Sequence, residues 1–338
     1  MELSGTTLLV FNVSKKKCCR GKFLLHKIAI FIFLFTLILS ISSEDRETIL
    51  EEKRNKGLIY SFKHPDTDQE FNIVHAYKLY DNYENKLEEE STIPAVQAFE
   101  EEVIEPIFDA CYQDAEYFER SGKTYSIEPP EDLEQVKGII NTIDEEKTNS
   151  AIKEALIESA NYIPSKKATN VCIYPTPFDP DLPQMITEGT GKISVLYTIF
   201  FDEEFLKVGI AHEYHHSVWT ERYFNNDSAD TILDILILEG KAVMFENIVY
   251  PGNSYGDLNY PFHKEYWELV EPELNLYDAY RAYEIIYGGD DLPENYGYSV
   301  GYNLVKSYLD THPSLTPEEW TELTGDVIYE DGNYIELY

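Results

Sequence analysis

Two histidines with a glutamate between them are the residues of this chain best suited to chemistry. His212 and His216 lie four residues apart in the stretch EEFLKVGIAHEYHHSVWTERYF, residues 203–224. This stretch contains no proline, so a helix of about six turns is predicted. The four-residue spacing puts both imidazoles on one helical face, where they can bind one metal ion, and Glu213 can take a proton from a metal-activated water. The pattern is the H-E-x-x-H motif of zinc sites.

The same pattern can arise by chance, with two structural histidines and a solvated glutamate. The apolar residues 208–211 before the motif, and Val218 and Trp219 after it, argue against this alternative. Histidines on so apolar a helix are expected to be at least half buried, and buried imidazoles need polar partners. His215 is expected to support the site through a hydrogen bond rather than to bind the metal.

The following helix is expected to supply a third ligand. Residues 229–250, which end before Pro251, are apolar almost all round, and this predicts a buried helix. Glu239 interrupts the apolar run, and a buried carboxylate without a partner is energetically costly. We therefore expect Glu239 to be the third zinc ligand. Asp234 is the alternative, either as that ligand or as a residue that orients a ligand histidine.

A glycine and two tyrosines are candidates for the surroundings of this site. Gly240 lowers helix stability by about 1 kcal/mol relative to alanine, which predicts a close backbone approach beside Glu239. Tyr298 and Tyr302 lie in a predicted helix that ends near Leu309, and either could donate a hydrogen bond to a developing oxyanion. The chain has 27 tyrosines, and packing is an equal alternative for any one of them.

Two strands are predicted before the histidine helix. Residues 170–174 (NVCIY) and 192–201 (KISVLYTIFF) are rich in β-branched and aromatic side chains. The stretch between them, residues 175–191, is rich in proline, glycine and aspartate and is predicted to be a loop. The second strand leads into the histidine helix. It is expected either to edge the cleft, where it could pair with an extended peptide, or to be an ordinary core strand.

The part of the chain before these strands is predicted to be helical. Residues 44–90 are expected to form a polar helical arm, and residues 92–122 a helix that is bent or broken at Pro106. Residues 131–159 carry two short helical patterns. No internal repeat or low-complexity linker separates these segments.

The expected fold class is α+β, mostly α. Residues 44–338 are predicted to form one domain, with a helical N-terminal part at residues 44–165 and a catalytic part at residues 166–338. A small β-sheet is expected to edge the cleft.

The first 43 residues predict export. Six basic residues precede the apolar run at residues 28–41, and small and then acidic residues follow it. This order places the N-terminus in the cytoplasm and the remainder outside. Residues 1–43 are therefore predicted to be a signal peptide or an uncleaved signal anchor in the membrane, and the protein is expected to be extracellular or at the cell surface. The apolar run is short for a spanning helix and the basic lead is long for a signal peptide, so cleavage stays open.

Cys111 and Cys172 are the two cysteines that follow the export segment. In an oxidising compartment they could form a disulfide, and two buried free thiols are an equal alternative.

The charge of the chain limits its partners. The formal net charge is −35, and six of the 27 basic residues lie in residues 1–43. So acidic a surface argues against nucleic acid as a partner and against electrostatic binding to anionic lipid. It favours cationic or neutral peptide substrates.

Three motifs, in this order, resemble a known family. They are HEYHH at residues 212–216, LDxxxLEGxA at 233–242 and GYxxGY at 297–302. Over residues 165–310 the chain looks like the bacterial predicted zinc-dependent protease domain of unknown function. That group is similar to the gluzincins, which are thermolysin-like metallopeptidases whose third ligand is a glutamate on the helix after the H-E-x-x-H helix.

The resemblance implies a zincin-like metallopeptidase fold with one Zn²⁺ ion. By position, the ligands would be His212, His216 and Glu239, the catalytic base Glu213, and the residues lining the site Tyr298 or Tyr302. Two positions depart from the family. Trp219 stands where a basic residue is expected and Lys241 where an apolar one is expected, and these changes concern specificity more than chemistry.

Together these features predict a secreted or membrane-anchored zinc metallopeptidase that acts on a peptide or protein substrate. The alternative is a cell-surface interaction protein that keeps a zinc site without turnover. Loss of the motif glutamate would favour that alternative, and Glu213 is present. The substrate, the choice between endopeptidase and exopeptidase action, and the oligomeric state are left open by the sequence.

Overall fold

The computed structural model describes residues 57–121, 128–179, 183–226, 230–253, 262–289 and 291–334. All of them fall within the unit Gly57–Tyr338. The predicted export segment, residues 1–43, lies outside the described residues, so that prediction stays untested. Among the helices that the structure describes, none is both long enough and apolar enough to cross a membrane.

The described part of the protein is α+β and mostly helical, with one small sheet. The strands are β1 (Ile59–Lys63), β2 (Glu70–Val74), β3 (Thr169–Pro175), β4 (Met185–Gly189) and β5 (Lys192–Tyr197). The α-helices are α1 (Tyr80–Glu89), α2 (Ala95–Phe99), α3 (Phe108–Cys111), α4 (Glu116–Ser121), α5 (Leu133–Ile140), α6 (Glu145–Tyr162), α7 (Glu203–Tyr223), α8 (Ile232–Val249), α9 (Lys264–Val270), α10 (Ala279–Tyr287), α11 (Tyr296–Thr311), α12 (Pro317–Thr321) and α13 (Gly325–Asp331).

The strands are arranged in the order β1-β2-β3-β5-β4. β2, β3 and β5 are parallel, and the outer strands β1 and β4 are antiparallel to their neighbours. Alternate residues of β3 face opposite sides of the sheet. Val171 and Ile173 belong to a larger core with side chains of α6, α7, α8 and α11, whereas Cys172 and Tyr174 belong to a smaller core with the N-terminal helices. Helices therefore cover both faces of the sheet.

Helix α7 carries the histidine motif and begins where the sequence provides a cap. The Asp202 carboxylate accepts a hydrogen bond from the backbone amide of Phe205, which satisfies a free amide of the first turn. Glu203 and Glu204 in that turn complement the positive end of the helix dipole. The helix ends at Tyr223, close to the predicted boundary, and both motif histidines are buried, as predicted.

Helices α8 and α11 cross closely enough to explain a glycine on each of them. A Cβ atom added to Gly240 would overlap the backbone carbonyl of Gly301. The predicted close approach beside Glu239 is therefore confirmed. The crossing brings the turn of α8 that carries Glu239 close to α11, the helix that carries Tyr298.

The prediction of a helical arm over residues 44–90 is wrong for residues 59–74, which contain β1 and β2. The polar sequence concealed these strands because polar side chains pair across the sheet. Ser61 donates a hydrogen bond to Asn72 at 2.7 Å, and Asn72 donates one to Asn170 of β3 at 2.8 Å. The N-terminal half is thus helical for much of its length but also supplies two strands of the sheet.

The predictions for the later strands also need correction. β4 lies inside residues 175–191, which were predicted to be a loop. The strand has only five residues and an irregular register between Thr187 and Gly189, so its sequence shows no strand pattern long enough to predict it. The strand predicted at residues 192–201 ends at Tyr197. It has β3 on one side and β4 on the other, so the prediction that it edges the cleft is wrong and the core-strand alternative is right.

The N-terminal helices are broken near Pro106, as predicted. A π-helical segment, Glu100–Ile104, leads into a 3₁₀ turn, Glu105–Ile107, that contains this proline. Cys111 of α3 and Cys172 of β3 form a disulfide, with their Cα atoms 6.1 Å apart. The bridge ties the N-terminal helices to a central strand of the sheet.

Candidate metal centre

Three side chains from helices α7 and α8 converge on one point. The Nε2 atoms of His212 and His216 are 3.0 Å apart, and Oε2 of Glu239 lies 3.2 Å from each of them. The two histidines are buried, and the side chain of Glu239 is 19% exposed. These three residues could hold a metal ion together, with Glu239 on the side that is open to solvent.

The spacing of the donor atoms fits a tetrahedral ion. An ion with bonds of about 2.0–2.1 Å needs donor atoms about 3.3 Å apart. The observed separations of 3.0 and 3.2 Å are close to that value. Two imidazoles and one carboxylate are also a donor set that suits Zn²⁺ and leaves a fourth position for water or substrate.

A buried carboxylate that was not predicted from the sequence orients His212. Oε2 of Glu246, a fully buried residue, lies 2.8 Å from Nδ1 of His212. When Nδ1–H donates to Glu246, the lone pair of the neutral ring is on Nε2, which faces the centre. Glu246 lies seven residues after Glu239 on α8, which is two helical turns. A second glutamate two turns after Glu239 in an apolar helix was the feature of the sequence that could have indicated Glu246.

The charges of the metal-free centre are strongly coupled. Burial by itself lowers the pKa of His212. The hydrogen bonds to Glu239 and Glu246 raise the pKa by more than burial lowers it, so the pKa lies well above its usual value. Burial raises the pKa of Glu239, and the two neighbouring imidazoles lower it more. Without a metal, an imidazolium and a carboxylate therefore neutralise each other. A cation bound by these residues would take the place of that proton.

Glu213 lies beside the centre and is held in place by the edge strand. Its Oε2 atom is 2.8 Å from Oγ1 of Thr187 on β4, and its backbone carbonyl oxygen is 2.9 Å from the same hydroxyl. Both residues are buried. The position of the Glu213 carboxylate thus depends on a strand that was not predicted, which is why the sequence did not indicate Thr187.

Asp234, the alternative third ligand, has another role. It forms a capping box with Thr231 at the start of α8: the amide of Asp234 donates to the Thr231 hydroxyl, and the amide of Thr231 donates to Oδ2 of Asp234. This aspartate therefore fixes the first turn of the helix that carries Glu239.

Two tyrosines lie at the open side of the centre. The ring centroid of Tyr298 is 6.2 Å from that of His212 and 6.1 Å from that of Tyr287 on α10. Although 43% of Tyr287 is exposed, its pKa is raised, first by desolvation and then by the charge of Glu239, with a smaller effect from Glu213. Because Tyr287 is exposed and contacts Tyr298, which contacts His212, it lies at the mouth of the site. Nothing in the sequence distinguishes Tyr287 among the 27 tyrosines, so it could not be predicted.

Tyr302 occupies the next turn of α11 after Tyr298. Its side chain is half-buried and packs against the larger core. A contact between Tyr302 and a substrate stays a prediction.

The neighbouring polar residues His215 and Lys241 attach helix α12 to the centre. Nε2 of His215 lies 3.2 Å from Oγ1 of Thr321, and Lys241 donates to the backbone carbonyls of Thr321 and Leu323. Burial lowers the pKa of His215 well below its usual value and that of Lys241 to about 7. The hydrogen bond of His215 goes to Thr321 and not to one of the three converging residues, so the predicted support of the site through a hydrogen bond stays a prediction. Lys241 replaces the expected apolar residue because it binds the carbonyls at the end of α12.

Comparison with known proteins adds one match. A family model described as predicted Zn-dependent protease (DUF2268) matches residues 148–330, which is more than half of the chain. The matched segment contains every residue of the centre described above. No curated protein and no solved structure matches the chain.

Proposed function

The chain belongs to the family of predicted Zn-dependent proteases, and we propose that it hydrolyses peptide bonds as a zinc metallopeptidase. The observation that supports this most strongly is the convergence of three donor atoms within 3.0–3.2 Å, with a carboxylate on the adjacent helical position. We assign His212, His216 and Glu239 as the zinc ligands and Glu213 as the catalytic base.

The residues around the centre divide the chemistry among them. A zinc ion bound there would supply a Lewis acid and lower the pKa of water at its open position. Glu213, positioned by Thr187, would accept a proton from the attacking water and return it to the leaving amine, a contribution of roughly 10²–10⁴-fold in rate. Tyr298, next to His212, would donate a hydrogen bond to the carbonyl oxygen of the scissile bond as negative charge develops.

The order of the ligands supports the gluzincin type. The third ligand, Glu239, comes from α8, the helix that follows the H-E-x-x-H helix. The proposal includes a zincin-like fold, in which α7 packs between the sheet and α8 and adjoins the edge strand β4.

We also propose that the protein acts outside the cytoplasm. The order of basic, apolar and acidic segments at residues 15–45 supports export. The disulfide between Cys111 and Cys172 is the kind of bond that persists in an oxidising compartment. Membrane anchoring through residues 1–43 and signal-peptide cleavage remain alternatives within this proposal. The substrate would be a peptide or protein, and the acidic surface disfavours nucleic acid.

A single substitution separates the peptidase from the non-catalytic zinc protein. Glu213→Gln keeps the size of the side chain and its hydrogen bond with Thr187 but removes the base. We expect the zinc-loaded full chain to cleave members of a broad peptide library, and Glu213→Gln to cleave them roughly 10²–10⁴-fold more slowly while it retains one zinc per chain. Digestion products are measured by mass spectrometry.

The matched control is Glu204→Gln. It makes the same chemical change on the exposed first turn of the same helix and is expected to leave cleavage unchanged. If the wild type cleaves nothing that Glu213→Gln does not cleave, the peptidase proposal fails. A zinc-binding interaction protein then becomes the better description.

A further inference from the structure

A row of exposed tyrosines runs along α10 and the turn before it. Tyr277, Tyr280, Tyr283 and Tyr287, here called the tyrosine stripe, are 72%, 76%, 56% and 43% exposed. With Leu276 they make up five of the fifteen large apolar side chains that are exposed in the described part of the chain. The opposite face of α10 is buried in the larger core. An aromatic outer face on a helix already anchored by its inner face indicates a binding surface.

The tyrosine stripe leads directly to the proposed catalytic centre. The rings of Tyr283 and Tyr287 stack at a centroid distance of 6.4 Å, Tyr287 contacts Tyr298 at 6.1 Å, and Tyr298 contacts His212 at 6.2 Å. From Tyr280 to Tyr287 the helix rises about 10 Å, the length of about three residues of extended polypeptide. A substrate bound at the centre can therefore continue along the stripe.

The negative charge near the tyrosine stripe favours a positively charged ligand. Residues 271–294 contain seven acidic residues and one basic residue, Arg281. Arg281 is already paired, because its guanidinium lies 2.7 Å from Glu273 and 3.2 Å from Glu284. Of the other carboxylates, the exposed Glu294 lies close to the end of the stripe, because a Cβ atom added to Gly288, next to Tyr287, would meet its Cα atom. Tyrosine faces with carboxylates at their margin suit the ammonium and guanidinium groups of lysine and arginine, whose alkyl stems pack on the rings.

We propose that the tyrosine stripe is an extended substrate-binding surface that selects polypeptides with a lysine- or arginine-rich segment a few residues from the scissile bond. This inference rests on the proposed peptidase function and specifies its substrate class. A basic segment on the stripe adds binding in the ground state and the transition state alike, so it lowers KM and leaves kcat almost unchanged. An acidic segment at the same position is repelled.

The first test compares peptides that share one cleaved core and differ in a four-residue flank of lysine, glutamate or alternating glycine and serine. Each flank is placed on either side of the core, because the direction of the bound chain is to be determined. With the zinc-loaded full chain, the lysine flank on one side should lower KM about 10-fold relative to glycine–serine, and the glutamate flank should raise it.

The second test uses variants of the stripe. Tyr280→Ala with Tyr283→Ala should reduce the advantage of the lysine flank to about 2-fold. Tyr280→Leu with Tyr283→Leu, which keeps apolar bulk without an aromatic face, should reduce it similarly. The control pair is Tyr60→Ala with Tyr162→Ala, which removes two exposed tyrosines elsewhere and should leave the advantage intact. Equal KM values for lysine and glycine–serine flanks, or an advantage that survives in the alanine pair, would overturn the proposal.

A binding measurement keeps this inference separate from the proposed function. Fluorescence anisotropy of a labelled lysine-flanked peptide is recorded with zinc-loaded Glu213→Gln, with and without the alanine pair. If the wild type cleaves the core but gains nothing from lysine, the stripe proposal fails and the peptidase stands. If no peptide is cleaved while tyrosine-dependent binding of the lysine peptide persists, the peptidase and the substrate assignment fail together, and the stripe is a surface for basic polypeptides only.

Discussion

Glu246 offers the sharpest test of how the centre is built, because the family motif does not include it. Its carboxylate is fully buried and lies 2.8 Å from Nδ1 of His212. This contact fixes the tautomer of His212 and increases the basicity of the Nε2 atom that faces the centre. Replacing Glu246 with Gln keeps the volume and an oxygen that can accept the Nδ1 proton, but it removes the negative charge.

The expected loss follows from the type of contact. A hydrogen bond to a charged group contributes about 1.5–3 kcal/mol, roughly twice the contribution of a neutral one. Losing the charged part, about half of that contribution, should therefore weaken zinc binding by about 4–12-fold, near the lower end of the 10–100-fold loss that is typical when a residue that orients a ligand histidine is removed. The zinc stoichiometry should stay at one, because all three donor atoms remain.

The assay is competition between the protein and a zinc chelator of known affinity, for wild type, Glu246→Gln and Glu102→Gln. Glu102 is a buried carboxylate among residues of the smaller core, far from α8 in sequence, so its substitution makes the same chemical change away from the centre. It should leave zinc affinity unchanged. An affinity within 2-fold of wild type for Glu246→Gln, or an equal loss for Glu102→Gln, would refute the assigned role of Glu246.

Three other predictions follow from the same structure. Gly240→Ala should destabilise the protein by about 1–3 kcal/mol because the added methyl group meets the backbone of α11. Gly138→Ala is the control: the added carbon has open space around it, so this substitution should be neutral or stabilising. Urea unfolding measures the stability of both variants. Replacing Cys111 and Cys172 by serine should lower the free energy of unfolding by about 4 kcal/mol because the bridge closes a loop of 61 residues, and an unchanged urea midpoint would contradict this. His212 has a raised pKa in the absence of metal, so zinc must displace its proton to bind. The apparent zinc affinity should therefore keep rising with pH above 6.5 and level off only above the raised pKa. Chelator competition at several pH values should show this slope, and an affinity that does not change with pH would count against it.

The centre was predictable from the sequence to the extent that each residue carried a local signal. His212 and His216 share a helix face because of their four-residue spacing, and Glu239 was conspicuous as a charge in an apolar helix. Gly240 indicated the close helix crossing that the structure contains. Each of these features lies within a single helix, so the spacing of residues along the sequence is enough to predict it.

The remaining features depend on which elements meet in three dimensions. Thr187 reaches Glu213 because a short edge strand lies against α7, and neither the strand nor the contact has a periodic signature. β1 and β2 appeared polar because Asn72 is satisfied by a side chain of the neighbouring strand. Tyr287 comes to the mouth of the site only through the packing of α10 on α11.

The proposed function requires that one zinc ion, held by His212, His216 and Glu239, supports peptide hydrolysis. The most direct measurement is the rate of cleavage of a susceptible library peptide as zinc is added to the metal-stripped full chain. We expect no cleavage without metal, a linear rise with added zinc and a plateau at one zinc per chain. Cleavage that is unaffected by metal removal, or a fully zinc-loaded chain that cleaves nothing, would contradict it.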